Sequence, residues 1–168
     1  MSRFWWPPGL VDELVRRGFH VAAYDQRDAG QSTHFPDTGA ASPIAAVLRR
    51  RSPAYTAEDM TDDAVAVLDA LGWDSAHLIG HSMGGQLAQR IALRHPGRVR
   101  SITSSAPLPG DVGRLGAAAR RTAAAISGAR LVILPGVGHY LPAAVYPQVA
   151  DEVRALADRA ATAAPKPG

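Results

Sequence analysis

The feature that most constrains this chain is a serine between glycines, Gly80-His81-Ser82-Met83-Gly84. It lies where the sequence pattern changes from that of a strand to that of a helix. The apolar segment 77–80 before it predicts a short strand. The segment 83–95 after it predicts a helix, which a Pro-Gly pair ends. A turn this tight strains the serine backbone, and a side chain at a flanking glycine would collide with the neighbouring strand or helix. The pattern therefore predicts that Ser82 Oγ stands clear of a sheet edge.

The rest of the chain alternates between strand and helix patterns. Strands are predicted at 19–24, 99–103 and 131–134, and helices at 10–17, 56–71, 117–126 and 145–160. This alternation indicates an α/β fold, with a mainly parallel sheet of about four strands and helices on its faces. We expect a single domain over 1–161 and a disordered tail over 162–168.

Composition narrows the class of function. The chain has no cysteine, which excludes disulfides, thiolate metal sites and a cysteine nucleophile. The net charge of +3 comes from scattered arginines, with Arg49-Arg50-Arg51 as the one short run, so we expect no nucleic-acid partner. No apolar run is long enough to cross a membrane and the first residues lack an apolar leader, so we expect no membrane association and a cytoplasmic protein.

A serine hydroxyl needs a base to become a good nucleophile. His139 is the best candidate, because it follows the predicted strand 131–134 and a glycine turn, at the edge where Ser82 also lies. The backbone N–H of Met83, at a helix N-terminus, favours a developing oxyanion. His81 adjoins Ser82, but its side chain is expected to point away from Oγ, so we interpret it as a packing residue. The competing interpretations are a bystander serine in a glycine turn and a surface histidine.

Three segments, in order, resemble the α/β-hydrolase family. Residues 24–32 (YDQRDAGQS) are similar to the D-x-R-x-x-G-x-S segment after the family's fourth strand. Residues 78–85 (LIGHSMGG) are similar to its nucleophile elbow, and 134–139 (LPGVGH) to its histidine loop. Within the family the chain looks most like small-molecule esterases of the aclacinomycin methylesterase type. The resemblance implies hydrolysis of a small-molecule carboxylic ester by Ser82 and His139, with no metal or other cofactor.

Parts of the family's pattern have no counterpart in the sequence. The family's first three strands, with the His-Gly loop that supplies a second oxyanion donor, would precede the helix at 10–17. Between Ser104 and Arg130 we find neither a cap nor a strand that ends in the usual acid. We therefore expect a partial α/β-hydrolase fold without a cap domain and with impaired activity. A true start upstream of Met1 would restore the front strands but not the acid.

Other carboxylates could replace the missing acid. Asp111 is the tentative choice, because it follows the predicted strand 99–103 on the catalytic edge. Asp25 and Asp28 also follow a strand at that edge, and a Ser82–His139 pair without an acid is a further alternative. Loop carboxylates more commonly make turn hydrogen bonds.

The alternative to an enzyme is a catalytically inactive remnant that serves as a binding or oligomerising module. Exposed sheet edges could then pair two copies into a homodimer.

Overall fold

A computed structural model describes residues 5–35, 55–105, 120–121, 123–125 and 128–163. The elements with defined bounds are, in chain order, α1 (Pro8–Arg16), α2 (Ala57–Ala70), β1 (Ala76–His81), α3 (Met83–Arg94), a 3-10 turn (Pro96–Arg98), β2 (Val99–Ser105), a second 3-10 turn (Ala143–Val145) and α4 (Tyr146–Ala163). Residues 120–121 and 123–125 are also helical, within the predicted helix 117–126. The predicted α/β class is confirmed.

Local signals set the ends of the helices. At the start of α2 the Asp59 N–H donates to Thr56 Oγ1 over 3.1 Å, and the Thr56 N–H donates to Asp59 Oδ2 over 2.6 Å. This reciprocal capping satisfies two backbone donors that have no partner inside the helix. After the helix, Gly72 adopts a φ of 68°, a left-handed conformation that suits glycine.

The sheet consists of β1 and β2, which run parallel with α3 as the connection between them. Gly80 faces Ser104 and His81 faces Ser105 in the register. Because the strands are parallel, their carboxyl ends lie together, and the turn at Ser82 and the end of β2 share one edge.

Helices cover both faces of this sheet. On one face Leu14 of α1 packs with Ala150 and Val153 of α4, and Ile79 of β1 joins them. On the other face Ala64 of α2 packs with Leu87 and Ile91 of α3, joined by Leu78 and Val99 from the strands. Neighbouring residues of β1 therefore point into two different cores, as the two-residue period of a strand requires.

The last helix, α4, continues to Ala163, two residues into the segment that we predicted to be a disordered tail. Residues 164–168 lie outside the described part of the chain. None of the helices in the described ranges is long and apolar enough to cross a membrane.

Two predicted strands are absent from the sheet. Segments 19–24 and 131–134 are irregular, and within the described residues the sheet has two strands rather than about four. A β-rich sequence becomes a strand only where a neighbour takes up its N–H and C=O groups, and neither segment is paired with β1 or β2. Leu131 and Ile133 are consequently exposed, at 39% and 42%, whereas Phe19 and Tyr24 pack against the two cores.

The core between α3 and the sheet yields a first prediction. Ile91 is 4% exposed, whereas Leu93 on the same helix is 84% exposed. We expect Ile91→Ala to lower the free energy of unfolding by about 2–5 kcal/mol, because it leaves a cavity. The matched change Leu93→Ala is expected to stay within about 0.5 kcal/mol. Urea unfolding followed by circular dichroism measures both, and equal effects would contradict the described packing.

Candidate functional site

The turn at Ser82 is strained as the sequence predicted. Ser82 has φ 55° and ψ −121°, and Asp28 is the other non-glycine residue with positive φ in the described ranges. Such a conformation costs about 1–3 kcal/mol and persists only where the surroundings enforce it. Here the Ser82 N–H donates to the Ser105 carbonyl over 2.8 Å, and the Ser82 carbonyl accepts the Gly85 N–H over 3.0 Å. Both bonds fix the backbone on either side of the serine hydroxyl.

Glycines make this turn possible through close contacts. A Cβ at Gly80 would overlap the backbone of Gly84, at the start of α3. A Cβ at Gly85 would overlap the Ser104 hydroxyl, on the neighbouring strand. The predicted collision is confirmed for Gly80, and Gly85 adds a second contact, which lets α3 lie close to β2.

Met83 is the first residue of α3 and is 49% exposed. Its N–H has no helical carbonyl one turn earlier to accept it, because the chain before Ser82 is a strand. The helix dipole adds a partial positive charge at the same position. A carbonyl oxygen held over the Ser82 turn would therefore meet a donor that has no partner within the helix.

The predicted base, His139, lies at this edge but contacts His81. Its Nδ1 atom is 3.2 Å from Nε2 of His81, and their ring centroids are 4.6 Å apart at 85°. No hydrogen bond joins His139 to the Ser82 hydroxyl in the described part of the chain. Nδ1 of His81 lies 2.6 Å from Oγ of Ser105. A continuous chain of contacts thus runs from β2 through His81 to His139.

His81 makes two side-chain contacts that were not predicted from the sequence. We interpreted it as a packing residue, whereas its ring contacts a serine on one side and His139 on the other. Burial, followed by the charge of His139, lowers the pKa of His81 below its ordinary value, and a hydrogen bond with the His139 backbone partly opposes this. The neutral imidazole is therefore favoured.

A spacing in the sequence could have revealed this contact. His77 and His81 are four residues apart in β1, and Ser101 and Ser105 are four apart in β2. The register places each histidine opposite a serine, and Nδ1 of His77 lies 2.8 Å from Oγ of Ser101. The signal becomes visible only once the two strands are aligned.

The candidate acids lie elsewhere or outside the described residues. Asp111, the tentative acid, is outside them. Asp28 Oδ1 accepts the Phe35 N–H over 2.7 Å, and Asp25 Oδ2 accepts the Gln31 N–H over 3.0 Å. These are turn hydrogen bonds, and the side-chain group at Nδ1 of His139 is His81 rather than either carboxylate.

Comparisons with known proteins agree with the fold. A family model for the alpha/beta hydrolase fold matches residues 1–130. A RutD protein of Variovorax paradoxus, named as a candidate carbamate hydrolase, is 36% identical over 101 residues, which are 60% of this chain and 32% of that protein. Rhodomycin D methylesterases of Streptomyces sp. strain C5 (DauP) and Streptomyces peucetius (DnrP) are 34% and 35% identical, each over 58% of this chain and 28% of the relative. The matched region spans about a third of the length of these relatives.

The glycine contacts generate a second prediction. We expect Gly85→Ala to destabilise the fold by about 1–3 kcal/mol through overpacking against the Ser104 hydroxyl. Because that hydroxyl is the main obstacle, adding Ser104→Ala is expected to recover most of the loss. Gly80→Ala meets backbone instead, so the same second change is expected not to rescue it.

Thermal unfolding of the single and double variants measures this coupling. Gly97→Ala is the control, because a Cβ there meets nothing within 4 Å. Equal rescue of Gly80→Ala and Gly85→Ala by Ser104→Ala would contradict the described geometry.

Proposed function

The chain belongs to the α/β-hydrolase family, and from this premise we propose that it hydrolyses small-molecule carboxylic esters with Ser82 as the nucleophile and His139 as the base. The observation that carries the proposal is the strained backbone of Ser82 at the junction of β1 and α3. Strain of this kind concentrates at functional sites, where the surrounding packing maintains it. A bystander serine in a glycine turn gains nothing from a φ of 55°.

The proposed reaction begins when Ser82 Oγ attacks the ester carbonyl carbon as its proton passes to Nε2 of His139. The carbonyl oxygen becomes an oxyanion and accepts a hydrogen bond from the Met83 N–H. The carbon–oxygen bond of the ester then breaks, and His139 returns the proton to the leaving alcohol. A water molecule, deprotonated by His139, cleaves the acyl-serine by the same steps in reverse. No metal or other cofactor takes part in this sequence.

The placement of His139 supports its role as base. Its partner His81 directly precedes Ser82 in the chain, so the ring lies beside the turn that presents the hydroxyl. His139 is exposed, so a substrate at this edge can reach its ring. Catalytic hydrogen bonds are often longer without substrate and shorten when the substrate binds.

The relatives support a small-molecule acyl compound as substrate. Two of them are methylesterases by name and another is named for a carbamate. Both substrate types present a carbonyl carbon bonded to a heteroatom leaving group, which the Ser82 site would attack in the same way. Asp111 stays our sequence-based candidate for the acid of this site.

Activity assays give a third prediction. We expect the chain to hydrolyse p-nitrophenyl acetate and to react with a fluorophosphonate probe at Ser82. Ser82→Ala should reduce both to background, and His139→Ala should lower kcat by about 10²–10⁴-fold. Ser101→Ala, a serine on β2 that contacts His77, is the control and should retain activity. Equal hydrolysis by the wild type and Ser82→Ala would refute the assignment.

The exposed apolar segments support a second candidate function, a module that pairs with a second copy. Val21, Leu131 and Ile133 are 37%, 39% and 42% exposed, and they lie in the segments where strands were predicted. Apolar side chains on backbone that is not paired with β1 or β2 favour strand addition from another chain. Two copies could complete each other's sheet in this way without any catalysis.

Oligomeric state provides the fourth prediction, which tests this second candidate. If the module pairs with itself, light scattering will give twice the monomer mass of 17.7 kDa. Ile133→Lys should then yield a monomer, because it places a charge in the apolar segment, whereas Leu93→Lys on the exposed side of α3 should leave the dimer intact. A wild-type monomer at all concentrations would exclude the pairing module.

A further inference from the structure

We propose that His81 is a positioning residue that holds His139 in the tautomer needed for a base. In this arrangement Nε2 of His81 accepts the proton on Nδ1 of His139, so that Nε2 of His139 keeps its lone pair for Ser82. The inference rests on the proposed function of Ser82 and His139, and adds to it the group that occupies the orienting position. In serine hydrolases this position is usually taken by a carboxylate.

Counting protons couples the directions of the two hydrogen bonds of His81 to each other. A neutral imidazole has one N–H donor and one acceptor nitrogen. When Nδ1 of His81 donates to Ser105 Oγ, 2.6 Å away, its Nε2 is the acceptor. His139 Nδ1, 3.2 Å from that acceptor, must then carry the proton. The opposite direction would place the proton on Nε2 of His139 and remove the base.

The charge state of His81 favours the productive direction. Burial lowers its pKa, so at neutral pH the ring is uncharged and retains an acceptor nitrogen. Protonated His81 has no acceptor nitrogen and can no longer accept the proton on Nδ1 of His139. The hydrogen bond with the His139 backbone opposes the lowering of the pKa. Among the described residues, His139 is the titratable group whose charge acts on His81. Activity should therefore be present above the pKa of His81 and fall as the pH drops through it.

One residue of β2 links the two halves of the site. The Ser105 carbonyl accepts the Ser82 N–H over 2.8 Å, and the Ser105 hydroxyl contacts His81. The backbone of the nucleophile and the ring that orients the base are thus fixed from the same residue. A packing role for His81 would not require contacts at both ring nitrogens.

The same strands supply a matched control. His77 and Ser101 repeat the histidine–serine contact four residues earlier in the register, over 2.8 Å, and burial lowers the pKa of His77 as well. Its ring packs against Phe19 rather than against His139. A change at His77 therefore removes a similar contact without touching the proposed site.

The test reads the tautomers directly, with the full chain labelled with ¹⁵N-histidine and observed by NMR at neutral pH. We expect His139 to carry its proton on Nδ1 in the wild type and in His81→Gln, whose side-chain oxygen can still accept. In His81→Phe the preference should be lost, and in His77→Phe it should be kept. Ser105→Ala should weaken the preference, and Ser101→Ala is its control. This second pair of variants tests the proposal even if His81→Phe folds poorly.

The kinetic readout is separate from the tautomer readout. His81→Phe should lower kcat, by as much as about 10⁴-fold, with little change in KM, and His81→Gln should restore part of the loss. The acid limb of the kcat profile should change in both His81 variants and not in His77→Phe. Unchanged tautomers in His81→Phe, or a wild-type proton on Nε2 of His139, would overturn the proposal. The proposal would also be overturned if Asp111→Asn changed the tautomer of His139 and His81→Phe did not.

Failure of the proposed function looks different. If Ser82→Ala hydrolyses ester as fast as the wild type, the enzyme assignment is lost, whatever the NMR shows. If the NMR result fails while Ser82 and His139 remain essential, the enzyme stands and its orienting group lies elsewhere.

Discussion

The hydrogen bond from the Ser82 N–H to the Ser105 carbonyl holds the candidate site together. It extends the β1–β2 pairing by one residue at the point where the chain leaves the sheet to begin α3. Without it, the backbone of Ser82 would be free to relax from its positive φ, and the hydroxyl would lose its fixed direction. The described sheet has two strands, and their parallel pairing brings the Ser82 N–H and the Ser105 carbonyl within hydrogen-bond distance.

Packing of α3 offsets the strain in the backbone of Ser82. The turn costs about 1–3 kcal/mol. Leu87 and Ile91 of α3 are 7% and 4% exposed, and burying a side chain of this size contributes about 1.5–3 kcal/mol each. Two such residues exceed the cost of the turn, and the glycines at 80 and 85 allow the helix to approach closely enough to bury them. The strained backbone of Ser82 and the close packing of α3 therefore depend on each other.

Much of the local structure could be predicted from the sequence. The turn at Ser82, the capping of α2 by Thr56 and the stop at Gly72 depend on a few adjacent residues, and the structure has all three. The alternation of elements also gave the α/β class. These features were accessible because short-range chemistry decides them.

The sequence was less informative wherever distant segments must meet. Segments 19–24 and 131–134 have strand-like composition, but a strand also requires a neighbour in register, which composition does not reveal. The contact of His81 with Ser105 was not predicted for a similar reason, since the two residues become adjacent only through the parallel pairing. Its contact with His139 further depends on where a distant loop folds.

The two proposed catalytic groups precede helices that lie on opposite faces of the sheet. Ser82 leads into α3, whose Leu87 and Ile91 pack on the face that includes Leu78. His139 lies in the loop before α4, whose Ala150 and Val153 pack on the face that includes Ile79.

Because Leu78 and Ile79 are neighbours in β1, both faces of packing act on the same strand. A loss of packing on either face would shift one group relative to the other, even far from the site. His81, the last residue of β1, contacts His139 at the point where the packing on the two faces meets. Through this contact, the packing on both faces of the sheet determines how His139 is placed relative to Ser82.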